Sequence, residues 1–125
     1  VQGDRPDRPV SQVASFTGSA FTSRKPAFRP LLVLPEDLVS FQTRRAGEFP
    51  DDTPRREVGG WWQGAVRPLG AGRLAIFGEA AMFTAQRAGQ DKRPIGMNAA
   101  VARDNPWLLL NLMAWLGERP VGKAR

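Results

Sequence analysis

The chain has 125 residues, enough for one domain with a small core. It contains no cysteine and no histidine, which excludes disulfide staples, thiolate or imidazole metal ligands, a cysteine nucleophile and a Ser-His-Asp triad assembled from this chain alone. The net charge is +6, carried mostly by arginine, and no apolar stretch approaches the ~20 residues that span a bilayer.

Residues 1–9 contain Asp-Arg-Pro twice, Asp4–Pro6 and Asp7–Pro9, with alternating charge and no large apolar side chain after Val1, and read as an extended tail or linker. Val10–Phe16 has only Val10, Val13 and Phe16 as large apolar residues, a weak strand. Ser15-Phe16-Thr17-Gly18-Ser19 then forms a hydroxyl-rich turn, with Gly18 free to take positive φ; its hydroxyls either bind a ligand's oxygens or hydrogen-bond their own backbone. Leu31–Leu34, between Pro30 and Pro35, reads as a buried strand, and Leu38–Phe41 as an edge strand or single turn. From Gln42 to Gly60 the only large apolar residues are Phe49 and Val58, so this stretch is expected to be a mobile, functional surface loop.

Trp61–Arg67 and Arg73–Gly78 form the clearest hairpin, with Pro68 ending the first arm and Leu69-Gly70-Ala71-Gly72 supplying the connection. Trp61 and Trp62 fall on opposite faces of a strand, which argues against a joint stacking platform. Leu74–Phe77 is a short unbroken apolar run and predicts a central strand buried on both faces. Glu79 follows where that strand ends, and Ala80–Ala88 reads as a helix presenting Met82, Phe83 and Gln86 on one face. Residues 89–103 read as a loop. Asp104 is an N-cap candidate, Pro106 fits the first helical turn, and Trp107–Leu116 is apolar on nearly every side, which predicts burial on nearly every side. Gly117 ends the helix and 119–125 is a polar tail.

Phe16-Thr17-Gly18-Ser19-Ala20-Phe21, Gly59–Val66, Gly72–Gln86, Gly96-Met97-Asn98 and Asp104-Asn105 followed by Leu109–Leu116 occur in that order. Together they resemble the C-terminal half of bacterial domains of unknown function with a class I glutamine amidotransferase-like fold, and more distantly trehalose-utilisation proteins. The resemblance spans residues 10–118. It implies an α/β fold, a flavodoxin-like three-layer sandwich whose first βα units would lie before Val1. An upstream half-domain or a partner chain is then expected to cover the sheet. Glutaminase activity is not carried over, because the cysteine nucleophile and the His-x-Glu pair of true amidotransferases have no counterpart here.

The functional expectation is a non-catalytic or accessory domain binding a small polar ligand beyond the strand ends, with a carbohydrate as the class implied by the more distant resemblance. In that reading Glu79 accepts hydrogen bonds from the ligand, with Thr17, Gln86, Asn98 and Asn105 as polar neighbours; no cofactor and no metal is called for. The competing reading for Glu79, as for Asp104 and Asn105, is a cap on the following helix. A hydrolase using Glu79 as general base, with its other groups in an upstream segment, is the second functional class. Nucleic-acid binding is the third and weakest, since Arg44-Arg45 and Arg55-Arg56 lie among Asp51, Asp52 and Glu57 instead of gathering with stacking aromatics.

Overall fold

A computed structural model describes residues 7–25, 27–45 and 47–118. The expected polar tail at 119–125 and the first part of the expected tail at 1–9 lie outside the described residues. The described residues form small antiparallel sheets and one C-terminal α-helix, not the flavodoxin-like α/β sandwich. Parallel strands need a crossover of a dozen or more residues, usually a helix, and no α-helix connects any two of the described strands, which all pair antiparallel.

The central sheet has three strands in the order β1 (Arg29–Val33), β4 (Trp62–Leu69), β5 (Gly72–Phe77). A second pair joins β2 (Val39–Phe41) to β3 (Arg55–Glu57), inside the stretch expected to be a loop. A third joins β6 (Ala85–Ala88) to β7 (Arg93–Gly96). The expected hairpin is present: β4 and β5 pair from Gly64 opposite Phe77 to Leu69 opposite Gly72. Gly70 takes φ 57° at the first of the two turn positions, while Ala71 needs no positive φ, as a type II′ turn requires. Pro68 does not end the arm. It pairs with Arg73 beyond the last residue of β4 that meets β1, where its missing N–H breaks no ladder bond.

Leu74–Phe77 is a strand, as its composition predicts, but it lies at the edge of the sheet and Ile76 is 37% exposed. The strand covered on both faces is β4, where Gln63, Gly64, Ala65 and Val66 are all buried. Small side chains and one glutamine are what two close covering layers admit. An apolar run was therefore the wrong marker of the sheet's centre.

The core lies on the Val66 face of the sheet, where Val66, Met82, Leu108 and Leu112 pack together with Ala75 and Phe77. Each such side chain contributes about 1.5–3 kcal/mol on full burial, so a core of this size leaves little surplus and the residues that cover it matter. The helix α1 (Asn105–Gly117) packs there. It is not buried all round: Trp107, Leu110 and Met113 are 40%, 43% and 59% exposed, while Asn111 is buried. The sheet offers α1 one face and nothing among the described residues wraps the other.

The helix expected over Ala80–Ala88 is instead a single 3-10 turn, Ala81–Phe83, followed by β6. Met82 and Phe83 anchor the turn, with the Phe83 ring edge-on to Phe77 at 4.9 Å between centroids. Residues 84–88 offer no further large apolar side chain to continue a buried helical face, so pairing with β7 satisfies their backbone instead. That partner, with a short 3-10 turn at Ala100–Ala102, breaks up the loop expected over 89–103.

Candidate functional site

The weak strand expected over Val10–Phe16 does not form. From Asp7 to Ala20 the chain runs without helix or strand, until Phe21 exchanges two backbone hydrogen bonds with Trp62 at 2.9 and 2.8 Å. Val10 and Val13 nonetheless lie on the core. A segment that crosses a core without a ladder must satisfy its N–H and C=O groups some other way. Here side chains from the rest of the fold do so.

Asn111 donates its Nδ2–H to the carbonyl of Arg8 at 3.1 Å. The Asp104 carboxylate accepts from the Ser11 N–H at 2.9 Å, the Ser11 hydroxyl at 2.8 Å and the Gln12 N–H at 3.0 Å. Asn105 accepts from the Ala14 N–H at 2.9 Å and donates back to the Ala14 carbonyl at 2.8 Å, and its Nδ2 also donates to the Met82 carbonyl at 2.9 Å. Glu79 Oε1 accepts from the N–H groups of Phe16 and Thr17 at 2.7 and 2.8 Å. Gln63 Nε2 donates to the Thr17 carbonyl at 2.8 Å. The Ser19 N–H then reaches the Gly78 carbonyl at 2.9 Å. Among the described residues the buried polar side chains are Thr53, Gln63, Glu79, Asn105 and Asn111, and all but Thr53 hold this strap.

The expected site residues sort cleanly against this arrangement. Glu79 and Thr17 are brought together, but through the Thr17 backbone, so the carboxylate is engaged by the protein's own amides. Asn105 acts on the same strap, three residues earlier in the chain, at Ala14. Among the described residues Gln86 and Asn98 make no hydrogen bond to the strap: Asn98 Nδ2 donates to the Gln86 carbonyl at 3.1 Å, and Gln86 pairs with Ile95 in the β6–β7 hairpin. The cap readings are also corrected. Glu79 precedes no α-helix, Asp104 stands at the N-cap of α1 without a side-chain capping bond, and Asn105 is the first residue of that helix. Their oxygens accept from N–H groups of the strap instead.

Gln63 and Asn111 carry no special weight in the sequence reading, yet both are essential to this seam. The signal was available: each is a neutral amide interrupting an apolar run, and a buried amide requires a partner. Asp104 takes part in a way that also sets its charge. Its carboxyl is held below the ordinary value by the Gln12 N–H first, then by the Ser11 N–H and hydroxyl, with a smaller pull from Arg103 and an opposing effect of partial burial.

Two recesses flank the strap. One, of about 260 Å³, lies along the 15–20 turn, with Ser15, Thr17 and Ser19 on its rim, Leu38 and Val58 among its apolar walls, and Gln63 alongside. The other, of about 190 Å³, lies beneath residues 10–13. Among the described residues no group of three or more Asp or Glu side chains could hold a metal ion, and no helix is long and apolar enough to cross a membrane. Of the Glu79 carboxylate, Oε1 is committed to the two N–H groups that fix the strap, while Oε2 is buried and without a hydrogen-bond partner among the described residues. Comparison with family models, with curated proteins and with solved structures finds no match for the chain.

Proposed function

We propose that this chain is a non-catalytic binding module that takes a small polyhydroxylated ligand, a carbohydrate, in the recess at the 15–20 turn. The observation that carries the reading is the state of that turn. Its backbone is fixed by Glu79 and Gln63, while the hydroxyls of Ser15, Thr17 and Ser19 make no hydrogen bond to any described residue. A held backbone with free hydroxyls is pre-organised for exchanging hydrogen bonds with ligand hydroxyls, because little ordering remains to be done on binding. Leu38 and Val58 give the recess an apolar wall for the C–H face of a sugar ring. Glu79 acts here through Thr17, as the residue that positions the turn.

Isothermal titration calorimetry against a panel of mono- and disaccharides tests the proposal. Saturable binding is expected for at least one sugar, weakened by about fivefold in Thr17→Val with the melting temperature unchanged, as the loss of one neutral hydrogen bond implies. No saturable heat with any sugar, or an affinity indifferent to Thr17→Val, overturns it.

A further inference from the structure

The strap is held at a distance. Gln63, Gly78, Glu79, Asp104, Asn105 and Asn111, which grip it, all come much later in the chain, the last of them 103 positions from Arg8. Together they form a groove that recognises peptide backbone. Glu79 takes two N–H groups, Asn105 takes both the N–H and the C=O of Ala14, and Asn111 takes the Arg8 carbonyl. Side chains add selection: Val10 and Val13 settle on the core beside Leu108, and the Ser11 hydroxyl donates to Asp104. Main-chain bonds for affinity and side-chain pockets for specificity are the means by which extended peptides are bound.

The linker between strap and β1, residues 22–28, has a different character. Thr22, Arg24, Lys25 and Ala27 are exposed. Its hydrogen bonds among the described residues are local, from the Lys25 N–H to the Ser23 hydroxyl and from the Phe28 N–H to the Lys25 carbonyl. Phe28, its last residue, lies against the sheet with its ring beneath the Arg67 guanidinium.

We infer that the groove is an exchangeable site: residues 7–21 of a second copy of the chain fill it in place of the chain's own strap, and the two copies form a reciprocal dimer. The occupant is the segment the groove already holds, so every bond of the closed form is remade in the exchanged one. The two forms differ in the course of the linker and in the entropy of bringing two copies together, which makes exchange a low-cost route to a dimer. The linker sets the balance. A short flexible tether gives the chain's own strap an effective concentration of order ~1 mM, so the exchanged form gains ground as the chain approaches that concentration. In the dimer the recess at the 15–20 turn is built from two copies, with Ser15, Thr17 and Ser19 from one and Leu38, Val58 and Gln63 from the other. The inference holds whether or not that recess takes a sugar.

The test removes the slack in the linker. In the closed form it carries the chain from Phe21, opposite Trp62, to Arg29, opposite Val66. Trp62 bonds to Phe21 on one side of β4, while Trp61 bonds to Leu34, just after β1, on the other. The path therefore covers about 13 Å along β4 and about 10 Å across it. Deleting residues 23–26 leaves ~14 Å at full stretch, which does not make the crossing. Light scattering on the shortened chain should then give twice the monomer mass. When two differently isotope-labelled batches are refolded together, the Val13 methyls of one copy should show nuclear Overhauser contacts to the Leu108 methyls of the other. The unaltered chain refolded at about 1 mM should show the same contacts between copies, in a dimer fraction that fades on dilution. A shortened chain that stays monomeric, or a dimer without those contacts between copies, overturns the inference. Should the shortened chain not fold, the unaltered chain at that concentration decides alone, and the absence of contacts between copies overturns it.

Discussion

The β4–β5 hairpin and the strap from Asp7 to Phe21 solve one problem in opposite ways. Both must satisfy backbone groups next to the same core. The hairpin does it with its own backbone, residue against residue from Gly64–Phe77 to Leu69–Gly72. The strap does it with side chains from elsewhere: Asn111, Asp104, Asn105, Glu79 and Gln63. A ladder tolerates many side chains because it uses none of them. A strap held by side chains depends on the identity of each, and its failure is local to whichever one is lost. The difference matters for function, since both recesses are bounded by strap residues.

The largest effect is expected where the two regions touch. At Gly78 the strap passes so close that an added Cβ would fall well inside contact distance of the Ser19 carbonyl, and Gly18 opposite, at φ 106°, approaches Glu79 and Gly78 in the same way. Gly78→Ala should therefore destabilise the fold by about 4 kcal/mol, or prevent it, as read by denaturant unfolding. A cost below about 1 kcal/mol would mean that the strap can lift off the hairpin freely and is not held there by its close approach. Next comes Asn105, fully buried and donating to two carbonyls. Asn105→Asp replaces that donor with an acceptor facing the Ala14 and Met82 carbonyls, at an expected cost of about 3 kcal/mol at neutral pH. Asn105→Asp should recover part of that loss in mild acid, where a protonated carboxyl can donate again.

The same contrast explains what could be read in advance. The hairpin was legible because β-favouring residues and a glycine-bearing connection are local signals, and Trp62, Gly70 and Gly72 carry them within ten residues of one another. The centre of the sheet was misjudged because Leu74–Phe77 has the composition of a buried strand, while the truly enclosed Gly64-Ala65-Val66 owes its place to neighbours 32 to 37 residues away in β1. The helix expected at Ala80–Ala88 failed for a related reason: propensity favoured it, and pairing with β7 outweighed propensity. The strap could not be read at all as structure, since its partners lie up to 103 residues distant. Glu79 and Asn105 were visible as unusual residues, but local spacing offers only caps and ligands as explanations for a carboxylate or amide after a strand. An irregular stretch of backbone from the far end of the chain leaves no periodic trace.

Glu79 offers a finer test, because it can separate local loss from global loss. In Glu79→Ala the Phe16 and Thr17 N–H groups lose their acceptor, at a cost of about 2 kcal/mol. Amide exchange should then quicken at Phe16 and Thr17 while the ladder amides of Ala65 and Arg67 keep their protection. Glu79→Gln retains an acceptor oxygen at the same reach and should cost about half as much. Equal loss of protection across strap and hairpin would show that the two unfold as one body, whatever holds them.

The smallest effect concerns Asp104, which clasps Ser11 and Gln12 from the solvent side. Its carboxyl value is depressed in the folded chain, chiefly by the Gln12 and Ser11 N–H groups. A depressed carboxylate contributes its stabilisation in full above the value it has when unfolded, about 3.9, and loses it as pH falls through the lower folded value. From neutral pH down to about 4 the clasp should therefore hold, and it should open only in stronger acid. Proton chemical shifts of the Ser11 and Gln12 amides, followed against pH, should move together with a midpoint below 3.9, while the Ala65 amide of β4 stays still across that window. In Asp104→Asn the step should be absent. A midpoint at or above the ordinary carboxylate value would mean that these amides do not hold the charge, and that the strap lies on the helix start without being gripped by it.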